Sequence, residues 1–318
     1  MPFTTLVVAG SSGVLADAIL PALLESTSPK FDITILTRAN SGKTPSVPGA
    51  KVVQVDYNDH QSLVQAVSGA DAIVSLLASI PAKEVDLKLL KAAQEAGVRR
   101  IFPSEYTLDI LHPYAVKLMS EGGDWPESPS PVRTAQAFLD LEKRGGPTSF
   151  TTLMTSAFMD PWLAGKIDLF DPANRRIQFI DDGARPFTGC SFGFIAAALV
   201  AALRMDEEAT RNKRIPIAEV RATMEEVAQA YEEVMGVGFE REVVKSSDLL
   251  GQRDGFLRSG NLPMALFTCI KLGALSGEGP GDLEEGFRHD GAGYLTARRK
   301  TLKELVAEAV RGLEAGSS

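Results

Sequence analysis

The first hundred residues alternate between strand-like and helix-like segments, and this alternation constrains the fold more than any other feature. β-Branched and apolar runs lie at residues 4–9, 32–37, 51–56, 71–78 and 100–103. Segments with apolar residues at helical spacing separate them, at 13–25, 60–68 and 81–96. Strands that alternate with helices of roughly 10–15 residues form right-handed βαβ units. The sequence therefore predicts an α/β fold built on a doubly wound parallel sheet with helices on both faces.

The rest of the chain is less regular. Residues 107–132 contain four prolines and predict an irregular excursion near the carboxyl edge of the sheet. A helix at 133–144 and a sixth strand at 149–155 follow. Beyond residue 156 we expect helices at 191–204, 221–235 and 298–312, with short strands near 176–180 and 214–218. These patterns predict a first domain over residues 1–155 and a smaller C-terminal α/β substrate lobe over 156–318, partly interleaved with the first.

Composition excludes several classes of protein. With 33 basic and 41 acidic residues the net charge is −8, so there is no global electrostatic case for binding nucleic acid or an anionic membrane. The longest apolar run, 192–203, is shorter than the roughly 20 residues of a membrane span. Two distant cysteines argue against a disulfide framework, and the scattered histidines and cysteines predict no metal site. We expect a cytoplasmic protein with a small-molecule substrate.

The turn after the first strand carries the clearest motif. Glycine-rich turns that open a helix bring backbone N–H groups and the positive end of the helix dipole to a phosphate. Ala16, the third small residue of the motif, lets the helix pack closely on the strand. An ordinary tight β–α turn is the alternative. The turn predicts a Rossmann-type dinucleotide site in which the pyrophosphate is held by Gly10, Ser12, Gly13 and Leu15, with Ser11 and Val14 as further cofactor contacts.

The end of the second strand predicts which dinucleotide binds. An NAD-specific site usually has an acid there, but this chain has Arg38, with Lys43 a few residues on. A guanidinium suits a 2′-phosphate that an acid would repel, although Arg38 could also be a solvated loop residue. NADPH or NADP is therefore the expected cofactor. Position alone adds five further contacts, each of which could instead be a packing residue: Asp56, Tyr57, Leu77, Ala78 and Ser79.

Three stretches resemble a known family. Residues 92–106, ending in Pro103-Ser104-Glu105-Tyr106, are similar to the AAxxAGVxRFxPSEYG stretch of the NmrA-like and isoflavone reductase-like proteins, which are atypical short-chain dehydrogenases. GSSGVLA at 10–16 and SFTTLMTSAFMDPW at 149–162 agree with that family. The resemblance covers roughly residues 4–165. It implies an NADPH-binding lobe, a C-terminal substrate lobe, and hydride transfer to aromatic or enone-type acceptors.

The resemblance also implies site residues, and one of them departs from the family pattern. Arg133 occupies the place of the family's general acid/base lysine; an arginine can polarise a carbonyl but is a poor proton donor. Tyr106 keeps the family's aromatic position, and Tyr114 lies in the predicted excursion. We therefore predict Arg133, Tyr106 and Tyr114 as catalytic residues. Further predicted cofactor contacts are Ser104 and, flanking the nicotinamide, Ser156, Ala157 and Phe158.

The sequence thus favours an NADPH-dependent reductase acting on a small apolar aromatic or enone-type molecule. A dinucleotide-binding regulator without turnover remains open, because loss of the family lysine fits it. A non-redox isomerase, cyclase or lyase on the same fold is a third possibility. The GxSxG spelling at 189–193 could suggest a hydrolase, but the segment before it is a poor central strand, so we interpret Ser191 as a helix N-cap. Oligomeric state stays open.

Overall fold

The computed structural model describes residues 2–39, 47–77, 81–120, 130–276, 279–284 and 298–316. Its centre is a seven-stranded sheet in the order β11-β6-β5-β4-β1-β2-β3, in which every pair of neighbours is parallel. This topology confirms the predicted doubly wound α/β fold. The strands are β1 (Thr5–Ala9), β2 (Asp32–Arg38), β3 (Lys51–Val55), β4 (Ala72–Ser75), β5 (Arg100–Phe102), β6 (Ser149–Met154) and β11 (Lys213–Pro216).

Helices cover both faces of this sheet. One face packs against α1 (Val14–Leu24) and α7 (Phe192–Arg204), whose apolar residues share one buried cluster. The other face packs against α2 (His60–Val67), α3 (Pro81–Ala96) and α5 (Pro131–Arg144). β1 and β4 are neighbours in the sheet although β2 and β3 lie between them in the chain. Successive strands are therefore added on one side of β1 up to β3 and on its other side from β4 onwards. In folds with this topology the ligand crevice lies at the carboxyl ends of the two strands where the order switches, here β1 and β4.

The smaller lobe contains two three-stranded sheets and its own core, in which Trp162 packs on Phe170 and Phe187. Its strands are β7 (Ala157–Phe158), β8 (Phe170–Asp171), β9 (Arg176–Ile180), β10 (Phe187–Cys190), β12 (Val220–Ala222) and β13 (Glu240–Val244). Its helices are α6 (Met159–Leu163), α9 (Met224–Met235), α10 (Ser246–Arg258), α11 (Leu262–Leu275) and α12 (Leu302–Gly316). The short helix α8 (Glu207–Thr210) belongs to the first lobe, where the carbonyl of Glu207 accepts a hydrogen bond from Arg100 of β5 at 2.7 Å.

Residues 192–216 return from the C-terminal half to the first lobe. α7 covers α1, and β11 extends the main sheet beside β6, with Arg214 opposite Thr152. The two halves of the chain are therefore interleaved in space. The boundary at residue 155 stays a prediction.

The predicted irregular excursion at 107–132 is wrong in part, because α4 (Pro113–Ser120) forms inside it. Pro113 is the first residue of that helix, where proline fits well because its missing N–H is not needed. Ser191, by contrast, behaves as predicted. Its hydroxyl accepts a hydrogen bond from the N–H of Phe194 at 3.2 Å and caps α7. A nucleophile elbow is therefore not needed to explain the GxSxG spelling.

None of the described helices is long and apolar enough to cross a membrane. Cys190 and Cys269 are buried free thiols. Across the described ranges, no group of three or more histidine, cysteine, aspartate or glutamate side chains is arranged to hold a metal ion.

Candidate functional site

The turn between β1 and α1 requires glycine for two separate reasons. Gly10 and Gly13 have φ angles of 98° and 116°, in a region that favours glycine. A Cβ on Gly10 would also lie 3.2 Å from the carbonyl carbon and oxygen of Leu76, just after the neighbouring strand β4. A Cβ on Gly13 would meet nothing within 4 Å. The backbone thus passes tightly against the sheet at Gly10 and then faces open space at Gly13.

This open space lies directly in front of the N-terminus of α1. Gly13 is the N-cap, and among the described residues no side chain caps the first N–H groups of the helix. Val14 is 58% exposed, whereas Ala16 is buried against the sheet. Uncapped N–H groups at a helix N-terminus carry partial positive charge and bind phosphate groups well. The turn therefore fits a pyrophosphate, which a side chain on Gly10 would disturb.

The end of β2 supplies a cation beside this turn. Arg38 is the last residue of β2 and is exposed. Tyr57 packs beneath it, and its hydroxyl donates to the carbonyl of Leu36 at 3.4 Å. Burial raises the pKa of Tyr57 well above its ordinary value, and the nearby Arg38 charge partly opposes that shift. Asp56 is exposed and accepts a hydrogen bond from the N–H of Asn58 at 2.8 Å. Lys43 lies outside the described residues.

The end of β4 lies beside the glycine turn. Leu77 reaches the glycine turn, since its Cδ2 atom would lie 3.3 Å from a Cβ on Gly10. The hydroxyl of Ser75 is buried and has no hydrogen-bond partner among the described residues. Ala78 and Ser79, also predicted as cofactor contacts, lie outside the described residues.

Ser104 is bound to a buried acid that the sequence did not reveal. Its N–H and its hydroxyl both donate to one carboxylate oxygen of Asp86, at 2.9 and 2.6 Å. Asp86 lies on α3 and is fully buried. Because its proton is engaged, the Ser104 hydroxyl can offer a cofactor only its lone pairs.

Tyr106 is buried at the carboxyl end of β5. Burial raises the pKa of its phenol well above the ordinary value, and the negative charge of Asp86 raises it further. Its hydroxyl has no hydrogen-bond partner among the described residues. A phenol with so high a pKa stays protonated at neutral pH and is a weak acid.

Tyr114 lies on α4, and its hydroxyl is 3.0 Å from the hydroxyl of Ser276. Ser276 in turn lies 2.6 Å from the carbonyl oxygen of Leu272, close enough that its proton must point there. The remaining proton, that of Tyr114, therefore points to Ser276. In this arrangement Tyr114 can accept a hydrogen bond from a ligand but has no free proton to donate.

Arg133 lies in the first turn of α5, where its N–H donates to the hydroxyl of the N-cap Ser130 at 3.3 Å. Its side chain is exposed. α5 packs against α4, so Arg133 lies on a helix adjacent to that of Tyr114. The catalytic roles predicted for Arg133, Tyr106 and Tyr114 stay predictions.

The link between β6 and β7 has a left-handed residue at its centre. Ser156 has a φ of 53°, which costs a non-glycine residue free energy, and such residues concentrate at functional sites. The N–H groups of Thr155 and Ser156 both donate to the carbonyl of Thr107, at 3.0 and 3.1 Å. The Ser156 hydroxyl donates to the carbonyl of Gly281 at 2.7 Å. Of the other predicted residues here, Ala157 is buried and Phe158 packs edge-on against Phe192.

The structure thus arranges the predicted residues in two groups at the carboxyl edge of the sheet. The glycine turn, Leu77 and Arg38 form one group. The segments after β5 and β6 form the other and meet through the carbonyl of Thr107. Two contacts in the second group were not evident from the sequence: Asp86 accepts a hydrogen bond from Ser104, and Arg214 pairs with Glu105. Asp86 gave no signal beyond its place on a helix, because its partner Ser104 is 18 residues away.

Residues 3–116 match the NmrA-like family. The oxidoreductase aprR of Aspergillus flavus is 25% identical over 83% of this chain and 87% of its own length. The isoflavone reductase of Medicago sativa is 22% identical over 77% of this chain and 80% of its own length. Pinoresinol reductase 1 of Arabidopsis thaliana is 26% identical, over 64% of this chain and 63% of its own length.

Solved structures share the fold over nearly the whole chain. A structure described as AtPrR2 with NADP+ and (+)pinoresinol superposes with a TM-score of 0.70 at 22% identity, covering 97% of this chain and 99% of that one. A ternary complex of leucoanthocyanidin reductase from Vitis vinifera gives a TM-score of 0.70 at 18% identity, covering 96% and 99%. At these identities the likeness establishes the fold.

Proposed function

Because this chain is a member of the NmrA-like, isoflavone reductase-like family, we propose that it is an NADPH-dependent reductase. Its acceptor in this proposal is a small, apolar, aromatic or enone-type molecule. The names of the relatives support a reductase: one is an oxidoreductase and two are reductases of plant phenolic compounds. The named ligands of the structural neighbours support NADP as the cofactor.

Three neighbouring features of the structure support the proposal most strongly: a helix N-terminus that no described side chain caps, a turn with no room for a side chain at Gly10, and an arginine at the end of β2. In the proposal the N–H groups of α1 hold the pyrophosphate and Arg38 pairs with the 2′-phosphate. The turn around Thr107 and Ser156 would support the nicotinamide end. NADPH, when bound, supplies a hydride to the acceptor.

The acceptor then needs polarisation and a proton, which are separate tasks. Arg133 can stabilise developing negative charge on an acceptor oxygen because an arginine side chain is a permanent cation with several N–H donors. For the same reason it is a poor proton donor. The proton of Tyr114 already points to Ser276, and the Tyr106 phenol is buried with a raised pKa. We infer that Arg133 polarises the acceptor and that the proton comes from another source.

The glycine turn and Arg38 also fit a second candidate, a regulator that binds the dinucleotide without catalysing a reaction. A protein with this role needs the cofactor turn but no proton donor. The engaged hydroxyl of Tyr114 and the arginine at position 133 fit that description.

A turnover assay separates the candidates. We would incubate the protein with NADPH and a panel of aromatic enones and quinones, and follow both NADPH absorbance and product formation. A reductase consumes NADPH in step with one acceptor. A regulator binds NADPH without consuming it with any acceptor, which would contradict the reductase. Product formed while NADPH stays unchanged would indicate a non-redox enzyme.

A matched pair of variants tests the assignment of Arg133. Arg133→Ala should lower kcat by at least about tenfold, since a positioned charge of this kind contributes roughly 10² or more. Arg144→Ala, at the exposed C-terminal end of the same helix, should leave kcat unchanged. Equal rates for the two variants would contradict the assignment.

A further inference from the structure

The turn after β5, residues 104–109, is fixed by side chains from distant parts of the chain. On one side, Asp86 of α3 accepts two hydrogen bonds from Ser104. On the other side, Arg214 of β11 pairs with Glu105 at 2.5 Å and with Asp109 at 3.2 Å. We propose that Arg214 is a positioning residue, which through Glu105 and Asp109 sets the nicotinamide end of the site; this inference rests on the proposed function.

The ion pair between Arg214 and Glu105 is buried, so breaking it would affect the structure around it. Side-chain exposure is 12% for Arg214 and 4% for Glu105. A buried carboxylate without a nearby cation has lost its hydration with nothing to replace it, so moving Glu105 away from Arg214 is unfavourable. Asp109 is more exposed and shares the same guanidinium nitrogen. One nitrogen of Arg214 therefore holds both ends of the turn that contains Tyr106 and Thr107.

The turn is hydrogen-bonded to the link between β6 and β7, so its position affects that link. The carbonyl of Thr107 accepts the N–H groups of Thr155 and Ser156, and these bonds hold Ser156 in its left-handed conformation. Asp109 also donates its N–H to the carbonyl of Pro280 at 3.0 Å. A displacement of the turn would therefore move Ser156, which is predicted to flank the nicotinamide.

The same contacts join the turn to the C-terminal half. The carbonyl of Gly281 accepts the hydroxyl of Ser156 at 2.7 Å and the N–H of Thr188 at 3.0 Å. Asp282, the next residue, forms a bidentate ion pair with Arg221 of β12. Arg214 also comes from the C-terminal half. The C-terminal half thus holds the segments after β5 and β6, while the glycine turn and Arg38 lie in the first forty residues.

Because different parts of the chain hold the two ends of the site, we expect a substitution at Arg214 to affect the two ends of NADPH differently. Arg214 should influence the nicotinamide half of NADPH and leave the adenosine half unaffected. The half-molecule 2′,5′-ADP contains the adenosine and the 2′-phosphate but no nicotinamide. Comparing NADPH with 2′,5′-ADP therefore separates positioning of the reactive end from general folding of the site.

Four variants test the proposal. Arg214→Met removes the charge at similar length, and Arg214→Lys keeps it. The double variant Arg214→Met with Glu105→Gln removes both charges, so that Glu105 no longer leaves an uncompensated buried carboxylate. Arg241→Met is the matched control, since Arg241 pairs with Glu225 and Glu232 in the smaller lobe. For each we would measure the affinity for both ligands, the fluorescence of bound NADPH and urea unfolding.

We expect Arg214→Met to weaken NADPH binding about tenfold or more, to change the fluorescence of bound NADPH, and to leave 2′,5′-ADP affinity within about twofold. Arg214→Lys should recover most of the NADPH affinity. The double variant should regain resistance to urea but not NADPH affinity. Arg241→Met should leave the binding of both ligands as in the wild type.

Other outcomes overturn the proposal in distinguishable ways. If the wild-type protein binds neither ligand, the proposed function fails, and this inference fails with it. If the wild type binds both and Arg214→Met weakens both equally, Arg214 has only a structural role. Recovery of NADPH affinity in the double variant together with its stability would lead to the same conclusion. Should Arg214→Met not fold, the double variant and Arg214→Lys still decide the question.

Discussion

At Gly10 the backbone passes so close to the residue after β4 that a side chain would contact backbone atoms of Leu76 at 3.2 Å. Its φ of 98° adds a second cost for any other residue. The glycine motif was readable from the sequence because one backbone geometry accounts for it. The hydrogen bond between Tyr114 and Ser276 was not readable, because these residues are 162 positions apart. The role of a single residue can therefore be predicted from the sequence where the local backbone conformation determines it. It cannot be predicted where the role depends on a contact with a distant part of the chain.

Gly10→Ala should destabilise the protein by about 1–2 kcal/mol through the positive φ and should also weaken NADPH binding. The added methyl group would lie 3.2 Å from the backbone of Leu76, so the turn would have to shift and would displace the N–H groups proposed to hold the pyrophosphate. Gly69→Ala is the matched control: its φ is 80°, but a Cβ there would meet nothing within 4 Å. It should be destabilised by strain alone and bind NADPH as the wild type does. Urea unfolding and NADPH titration check both variants, and equal binding losses would contradict the role of Gly10.

At the scale of elements, periodicity predicted the first half well. α3 spans residues 81–96 and β6 spans 149–154, within one residue of what the sequence indicated. α10 and α11 were missed, although Asn261 caps α11 and Pro263 lies in its first turn, both of which are recognisable start signals. The strand–helix alternation of a βαβ unit makes each element support the assignment of the next. The smaller lobe has no such repeat, so its elements had to be judged one at a time.

The start of β1 is joined to the start of β4 by a single carboxylate. Asp71 accepts the N–H groups of Thr4 and Thr5 at 2.7 and 2.9 Å and pairs with Arg99 at 2.9 Å. Burial alone would raise the pKa of Asp71, but these backbone hydrogen bonds and Arg99 outweigh it and lower the pKa to about 2. The carboxylate therefore stabilises the fold above its ordinary pKa near 4, and this stabilisation is lost as the pH falls towards about 2.

Asp71→Asn should accordingly lower the free energy of unfolding by about 1–2 kcal/mol at neutral pH. The difference from the wild type should shrink between about pH 4 and pH 2, as the wild-type carboxylate takes up a proton. Asp32→Asn, an exposed substitution at the start of β2, should show no comparable effect. Urea unfolding at several pH values checks this. A difference between Asp71→Asn and the wild type that does not change with pH would contradict the role of the charge.

At the scale of the whole molecule, the two halves of the chain depend on each other. α7 buries the apolar face of α1, including Ile19 and Leu23, and β11 covers the edge of β6. The sequence indicated an interleaved second lobe but did not reveal which segment returns. That information lies in the pairing of β11 with β6, which no local pattern encodes.

A fragment of residues 1–155 should therefore fail to fold as a stable monomer. It would expose the face of α1 that α7 covers and leave β6 as an open sheet edge, which favours aggregation. The full chain is the control, and a fragment of residues 1–220, which keeps α7 and β11, should be more soluble. Size-exclusion chromatography and urea unfolding decide the matter. A monomeric 1–155 fragment with a cooperative transition would contradict this interdependence and support the boundary at residue 155.

We propose that the carboxyl edge of this sheet binds NADPH and that Arg38 recognises the 2′-phosphate. The most direct test is to titrate the protein with NADPH, NADP, NADH and NAD, beside Arg38→Ala and, as a control, Arg258→Ala at the exposed end of α10. We predict that the phosphorylated pair binds more tightly, that Arg38→Ala removes most of this preference, and that Arg258→Ala preserves it. Equal affinity for all four cofactors, or a preference that survives in Arg38→Ala, would contradict the claim.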